Sequence, residues 1–269
     1  MPDADPSETP SGAFPTPAVP RAALVTGGAQ RIGQAVALAL ADMGYAVAVH
    51  FHRSAKAAEK TTGAIRESGG KAVALAADLT DEDAVSALVP RAAEALGPIG
   101  VLVNNASIFE GDTVDTATRD SWDSHLAVNL RAPFVLTQEF ARRLPREAGG
   151  CIVNLLDERV WNLTPYFVSY TLSKAGLWTL TQTMALALAP RIRVNGIGPG
   201  PTLPSARQSL EQFIDQCKSM PLQRGTSPQE IAAALRFLLD APAVTGQMIA
   251  LDGGQHLGWA QPRQSLTVE

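Results

Sequence analysis

A chain of 269 residues, 46% of them hydrophobic, can bury one large α/β core without a second domain. Its net charge of −4 offers no basic footprint for nucleic acid or an anionic membrane surface, so a small soluble ligand is the expected partner. Cys151 and Cys217 lack the spacing of a zinc site or a disulfide framework, so no metal is expected and a reducing cytoplasm fits. No apolar run reaches the ~20 residues of a membrane span.

Residues 1–20 are rich in Pro, Ser, Thr and Asp, lack the basic and apolar regions of a signal peptide, and read as a disordered tail ahead of a single domain, 21–269. From Arg21 onward, seven short apolar runs read as strands: Ala22 to Thr26, Tyr45 to Phe51, Lys71 to Ala77, Ile99 to Asn104, Cys151 to Leu156, Ile192 to Ile197 and Gln247 to Asp252. They are continuously apolar, as parallel strands covered on both faces must be. Helical stretches near 31–43, 54–69, 81–96, 118–144, 166–189 and 227–240 separate them. Strand and helix alternating in this way predict a Rossmann-like, doubly wound, seven-stranded parallel sheet with helices on both faces.

The first strand runs into Thr26-Gly27-Gly28-Ala29-Gln30-Arg31-Ile32-Gly33 and then a helix. Glycines allow a tight turn and close backbone approach to a pyrophosphate, and a helix N-terminus offers it free N–H groups. No Walker lysine follows, which argues against ATP. At the end of the second strand an acid would hold a ribose 2′-hydroxyl, but Gly44 to Ala58 contains none and reads His52-Arg53-Ser54. Arg53 and Ser54 suit a 2′-phosphate instead, which favours NADPH over NADH.

Asn104-Asn105-Ala106-Ser107 follows the fourth strand at its carboxyl end, where ligands of open α/β sheets lie. Asn129 sits mid-helix, where asparagine is disfavoured and needs a reason: a local hydrogen bond, or a water held for Lys174. Tyr170 and Lys174, four residues apart, share one helical face. An ammonium there favours phenolate, which makes Tyr170 a candidate acid or base with a lowered pKa.

Over Arg21 to Trp259 these motifs resemble the short-chain dehydrogenase/reductase family in order and spacing: TGGAQRIG, Asp78-Leu79, NNAS, Asn129, Tyr170-x-x-x-Lys174, Pro199-Gly200 and Leu251-Asp252-Gly253-Gly254. The resemblance implies that Tyr170 is the catalytic acid, that Lys174 holds the nicotinamide ribose, and that Asn129 completes a water relay. It implies adenine or adenosine contacts at Asp78, Leu79 and Asn105. The rest of the cofactor set it implies is Gly27, Arg31, Ile32, Gly33, His52, Arg53, Ser54, Ala106, Ser107, Pro199, Gly200 and Thr202, besides Tyr170 and Lys174. A homotetramer is also implied.

Departures from the general pattern narrow the likeness. Arg31 replaces the middle glycine, NNAS replaces NNAG, and Asp157 replaces the serine expected about a dozen residues before the tyrosine. With the HFHRS stretch, these are similar to pteridine reductases and the related bacterial dihydromonapterin and dihydrofolate reductases. In that group Arg31 and Ser107 would serve cofactor phosphate and pterin, Phe109 would stack on the pterin, and Asp157 would assist protonation at Tyr170. The expected activity is NADPH-dependent reduction of a pterin or folate. Two alternatives stay open: a carbonyl reductase acting on 3-oxoacyl thioesters or another ketone, and a catalytically idle NADP-binding protein. The long apolar helix after Tyr170, with Leu177, Trp178, Leu180, Met184, Leu186 and Leu188, is expected to meet both the sheet and another subunit. Leu203 to Met220 is similar to the variable lid over the substrate.

Overall fold

The computed structural model describes residues 16–205 and 207–258. Seven strands, β1 (Ala22–Val25), β2 (Ala46–Phe51), β3 (Ala72–Ala76), β4 (Val101–Asn104), β5 (Gly150–Leu155), β6 (Ile192–Pro199) and β7 (Met248–Leu251), form one sheet in the order β3-β2-β1-β4-β5-β6-β7. Every pairing is parallel. The expected sheet is therefore the observed one. Its chain direction of winding reverses between β1 and β4, opening the crevice at the carboxyl ends where both strands hand over to loops.

The apolar runs are continuous because each strand feeds two cores. Leu24, Leu102 and Ile152 point to one face, against Val85, Leu88 and Val89 of α3 (Glu82–Leu96), Leu136 and Phe140 of α5 (Ala132–Arg143), and Met184 of α6 (Val168–Leu188). Their neighbours Val25, Val103 and Val153 point to the other, against Val36 and Leu40 of α1 (Arg31–Asp42), Ile65 of α2 (Ala55–Glu67), and Ile231 and Leu235 of α8 (Pro228–Asp240). Alternate side chains on a pleated strand go to opposite faces, so both must be apolar when both are covered.

Two expectations are corrected and one element is added. The helix expected over 118–144 is broken into α4 (Arg119–Leu126), a π-helical turn (Ala127–Arg131) and α5. The lid contains a helix not foreseen, α7 (Leu210–Lys218), started by a reciprocal cap between Ser209 and Gln212. The expected tail, Met1 to Pro20, ends too late: the Ala18 carbonyl accepts the Gly149 N–H at 3.0 Å, and Val19 packs against the core. The earlier part of that tail, and Trp259 at the far limit of the family likeness, lie outside the described residues.

Candidate active site

The turn between β1 and α1 is built around two glycines. Gly27 has φ +61°, and a Cβ on Gly33 would stand 2.1 Å from the Gly27 carbonyl oxygen, so only glycine lets the helix start press against the turn. Asn105 Nδ2 donates to the carbonyls of Thr26 (2.8 Å) and Gly27 (3.1 Å), and the Ala106 N–H donates to Thr26 Oγ1 at 3.0 Å. These residues thus brace the turn from the neighbouring strand. His50, buried on β2, accepts the Gly27 N–H on Nδ1 at 3.0 Å while Nε2 faces the Ala77 carbonyl at 3.2 Å. That pairing puts the ring proton on Nε2, and burial holds the imidazole neutral, with its pKa pushed down to about 4. By contrast with α3, where Asp81 caps Asp83 and Ala84, α1 has neither a side-chain cap nor an acid in its first turn. Its first N–H groups, those of Ile32 and Gly33, are left for an anion, and that of Gln34 is the first taken up, by the Gln30 carbonyl at 3.2 Å.

Beside this turn, at the ends of β2 and β3, a cavity of about 480 Å³ is lined by Gly27, His52, Arg53, Asp78, Leu79, Ala106 and Ser107, among others. Asp78 is fixed by the Thr80 N–H and hydroxyl at 2.9 and 2.8 Å, and His52 Nε2 lies 3.4 Å from its other oxygen. Ser54 is the N-cap of α2, yet its hydroxyl makes no cap bond.

A larger cavity, about 660 Å³, opens on the other side of the turn and is lined by Arg31, Phe109, Asp157, Tyr170, Lys174 and Thr202, with Pro199 and Gly200 at the end of β6. Tyr170 donates its hydroxyl to Asp157 Oδ2 at 2.8 Å. Asp157 also accepts the Arg159 N–H at 3.0 Å, and Arg159 Nη1 approaches its two oxygens at 3.3 and 3.2 Å. Every one of these contacts suits a carboxylate acting as acceptor. Lys174 Nζ donates to the Leu155 carbonyl at 2.7 Å and stands 5.9 Å from the centre of the Tyr170 ring. Burial lowers the ammonium's pKa to about 8. Contrary to expectation, the phenol is not lowered: burial first, then the charge and hydrogen bond of Asp157, raise Tyr170 well above its ordinary value.

Asn129 lies in the π-helical turn, and its hydrogen bonds supply the reason a mid-helix asparagine needed. Its Oδ1 accepts from the Ile108 N–H (2.8 Å) and Ser107 Oγ (3.1 Å), and its Nδ2 donates to the Ile108 carbonyl and Ser173 Oγ, both at 3.0 Å. Direct contact thus ties it to the Ser107 loop. Phe109 stacks on Phe167 with centroids 4.6 Å apart and meets the edge of Tyr170 at 4.7 Å. Arg31, itself at φ +55°, donates to the carbonyls of Leu203 (3.4 Å) and Pro204 (3.2 Å) across the cavity mouth. The Thr202 hydroxyl donates to the Gly200 carbonyl at 3.0 Å.

A family model described as "Enoyl-(Acyl carrier protein) reductase" matches residues 27–256. The chain belongs to the short-chain dehydrogenase/reductase family. Among curated relatives, the "Uncharacterized oxidoreductase YgfF" of Escherichia coli (strain K12) is 37% identical, covering 87% of this chain and 99% of the relative. A 3-oxoacyl-[acyl-carrier-protein] reductase of Synechocystis is 33% identical, covering 86% and 95%. Among solved structures, FolM alternative dihydrofolate reductase 1 from Brucella suis, in complex with NADP, is 49% identical with a TM-score of 0.87, covering 91% of this chain and 97% of that chain.

The cavity of this family member also holds residues that the sequence motifs did not single out. Arg159, which grips Asp157, stands two residues after it in Asp157-Glu158-Arg159 and could have been found from that spacing alone. Glu158 lines the same cavity but is only 1% exposed, and its Oε2 has no partner among the described residues. Burial, reinforced by Asp157, pushes its pKa up to about 8. His50 had no readable signal, since a lone histidine in an apolar strand does not disclose what it accepts.

Proposed function

We propose that this short-chain reductase uses NADPH to reduce a pterin or folate, taking the dihydro form to the tetrahydro form. One observation carries the reading: at the position where a carbonyl-reducing relative would offer a serine, Asp157 lies 2.8 Å from the hydroxyl of Tyr170, whose ring meets that of Phe109 at 4.7 Å. The Brucella FolM proteins, named dihydrofolate reductases and bound to NADP, support both the substrate class and the cofactor.

The site fits a phosphorylated dinucleotide on the chain's own terms. Gly27 and Gly33 make a cradle that a Cβ would fill, the α1 N-terminus is uncapped, and Arg53 with the Ser54 hydroxyl, which makes no cap bond, would meet a 2′-phosphate. Asp78 and Leu79 would hold the adenine end, with Asn105, Ala106 and His52 shaping it. Lys174 would hold the nicotinamide ribose, and Pro199, Gly200 and Thr202 the nicotinamide end. NADPH, when bound, supplies the hydride.

The residues supply the proton. Adding hydride to the carbon of a C=N bond makes the ring nitrogen basic, so the proton must leave Tyr170 Oη only as that charge develops. A phenol held well above its ordinary pKa keeps its proton until then. Arg159 and Lys174 are the two cations near the phenolate left behind, and Asp157 holds the hydroxyl in a single direction. Phe109, Ser107 and Arg31 are assigned to the flat ring, Phe109 by stacking and the others by orienting its polar edge. Asn129 fixes the Ser107 loop and remains the candidate for the water relay to Lys174.

Assembly as a homotetramer belongs to the same proposal. Leu126, Leu130, Phe134, Gly176 and Leu180 line an open apolar groove between the α4–α5 helix and α6, a surface suited to a two-fold partner. The free cysteines Cys151 and Cys217 agree with a cytoplasmic setting. NADPH oxidation measured with dihydrobiopterin, dihydrofolate and a ketone panel tests the reading: turnover of ketones alone would make the chain a carbonyl reductase, and no turnover with any would make it an idle NADP-binding protein.

A further inference from the structure

Behind the phenol lies a second polar cluster that the proton chemistry does not use. Asp112, His125 and Ser169 are 5%, 0% and 0% exposed, and they come from three separate segments of the site. The Ser169 hydroxyl donates to Asp112 Oδ2, and the Ser169 N–H donates to Asp112 Oδ1 at 3.1 Å. His125 Nδ1 stands 2.7 Å from Ser169 Oγ, and its Nε2 accepts the Glu110 N–H at 3.1 Å.

The directions of these bonds are forced. A backbone N–H can only donate, so Nε2 carries no proton and the neutral ring bears its proton on Nδ1. Nδ1 therefore donates to Ser169 Oγ, and the Ser169 hydroxyl donates in turn to a carboxylate that can only accept. The polarity runs from Glu110 N–H through His125 and Ser169 to Asp112. The three residue types are those of a hydrolase triad, but here the serine sits in the middle and is sealed from solvent, so it is no nucleophile.

Each end of the chain grips something the reaction needs. Phe167, the N-cap of α6, is left-handed at φ +60° and makes no side-chain cap, so the Ser169 N–H is capped from outside, by Asp112. Ser169 is the residue before Tyr170. The other end holds the Glu110 N–H, next to Phe109, and the His125 ring lies 5.9 Å from that of Tyr170. His125 also sits one turn before Asn129 in the π-bulged helix.

We propose that Asp112, Ser169 and His125 form a positioning relay that fixes Tyr170 and Phe109 relative to each other, so that proton donor and stacking face keep one spacing. This rests on the reading of Tyr170 as proton donor. The relay has two separable ends, and two near-isosteric changes at one residue address them. Asparagine reaches only to the Nδ1 position and keeps the bond to Ser169; glutamine reaches the Nε2 position and keeps the bond to Glu110. His125→Asn frees the Phe109 loop, so it should raise KM for dihydrobiopterin about tenfold with kcat little changed. His125→Gln removes the donor to Ser169 Oγ and leaves the α6 end held by Asp112 alone, so it should lower kcat about tenfold with KM little changed, and Ser169→Ala, a smaller disturbance to folding, should match it. Amide hydrogen exchange reads the same split without turnover: faster at Glu110 in His125→Asn, faster at Ser169 in His125→Gln. Variants that change kcat and KM in one proportion, or exchange rates that rise together at both ends, overturn the relay. If the exchange splits as expected while the wild type reduces no pterin, the relay stands and the substrate assignment fails; if the wild type reduces pterin and neither split appears, the relay alone fails.

Discussion

Replacing Asp157 by asparagine keeps the size of the side chain and removes one acceptor oxygen and the charge. Two oxygens now carry separate duties: Oδ2 takes the Tyr170 hydroxyl at 2.8 Å and Oδ1 takes the Arg159 N–H at 3.0 Å, with Arg159 Nη1 within 3.3 Å of both. An amide can fill only one of those duties. If its oxygen turns to Tyr170, its NH₂ faces two Arg159 donors; if it turns to Arg159, the phenol loses its acceptor and meets a donor. Hydrogen bonds to charged groups are worth about 1.5–3 kcal/mol, and one decade of rate is about 1.4 kcal/mol, so kcat with dihydrobiopterin should fall roughly 10- to 150-fold. Affinity for NADPH, titrated by fluorescence, should stay within about twofold, because the cradle at Gly27 and Gly33 is untouched and uniform binding is not what the carboxylate supplies. Wild-type turnover by Asp157→Asn would refute the reasoning and leave Asp157 as a turn-capping carboxylate. Asp157→Ser restores the residue that carbonyl-reducing relatives carry, and a gain in ketone reduction is expected there.

Arg53→Asp should weaken NADPH binding at least tenfold while changing NADH binding far less, since it removes charged bonds to a 2′-phosphate and adds repulsion; equal wild-type affinity for the two cofactors would contradict it. Glu158 has a folded-state pKa of about 8 against an ordinary value of 4.5, raised by burial first and by Asp157 second. Between those two pH values the folded chain binds more protons than the unfolded one, so stability from this group is full at low pH and is lost as pH rises toward 8. Glu158→Gln should therefore raise Tm relative to wild type more at pH 8 than at pH 5, and a pH-independent difference would show that the carboxyl is already ionised in the fold. Leu180→Arg, in the open groove beside Leu130 and Phe134, should shift the light-scattering mass at micromolar concentration from four subunits to fewer; a wild-type monomer would remove the tetramer from the proposal.

What could be read in the chain beforehand follows from how far each signal reaches. The parallel sheet was legible because strands such as Ala23-Leu24-Val25 must be apolar on both faces, a local consequence of a global arrangement. The tight turn was legible because Gly27 and Gly33 are needed for steric reasons that hold in any such turn. The break at Ala127–Arg131 was not, since nothing in AVNLR forbids a regular helix; the π-turn is set by Asn129 reaching across to Ile108 and Ser173. The lid helix, Leu210–Lys218, was legible in principle, since it has a clear Ser209–Gln212 cap and an apolar stripe of Leu210, Phe213, Ile214 and Cys217 at helical spacing, although none of its residues is buried. Asp112, His125 and Ser169 lie too far apart in the chain for any spacing rule to join them.

The one reversal at the site, the Tyr170 phenol, shows why a pair spacing alone cannot assign a protonation state. Four residues on a helix bring Lys174 to the face of Tyr170, and from that alone the ammonium should favour phenolate. The fold adds two effects the spacing does not contain. It buries the pair, which disfavours charge on both members, and it places the Asp157 carboxylate on the phenol itself, nearer than Lys174, whose Nζ is turned toward the Leu155 carbonyl. Burial and the nearer anion win over the more distant cation. Lys174, with its pKa at about 8, stays mostly charged at neutral pH but close to losing its proton. Under the proposed pterin reading, a neutral phenol held by a carboxylate keeps its proton until hydride addition to the neighbouring carbon makes the ring nitrogen basic, a timing that prior activation of a phenolate would not supply.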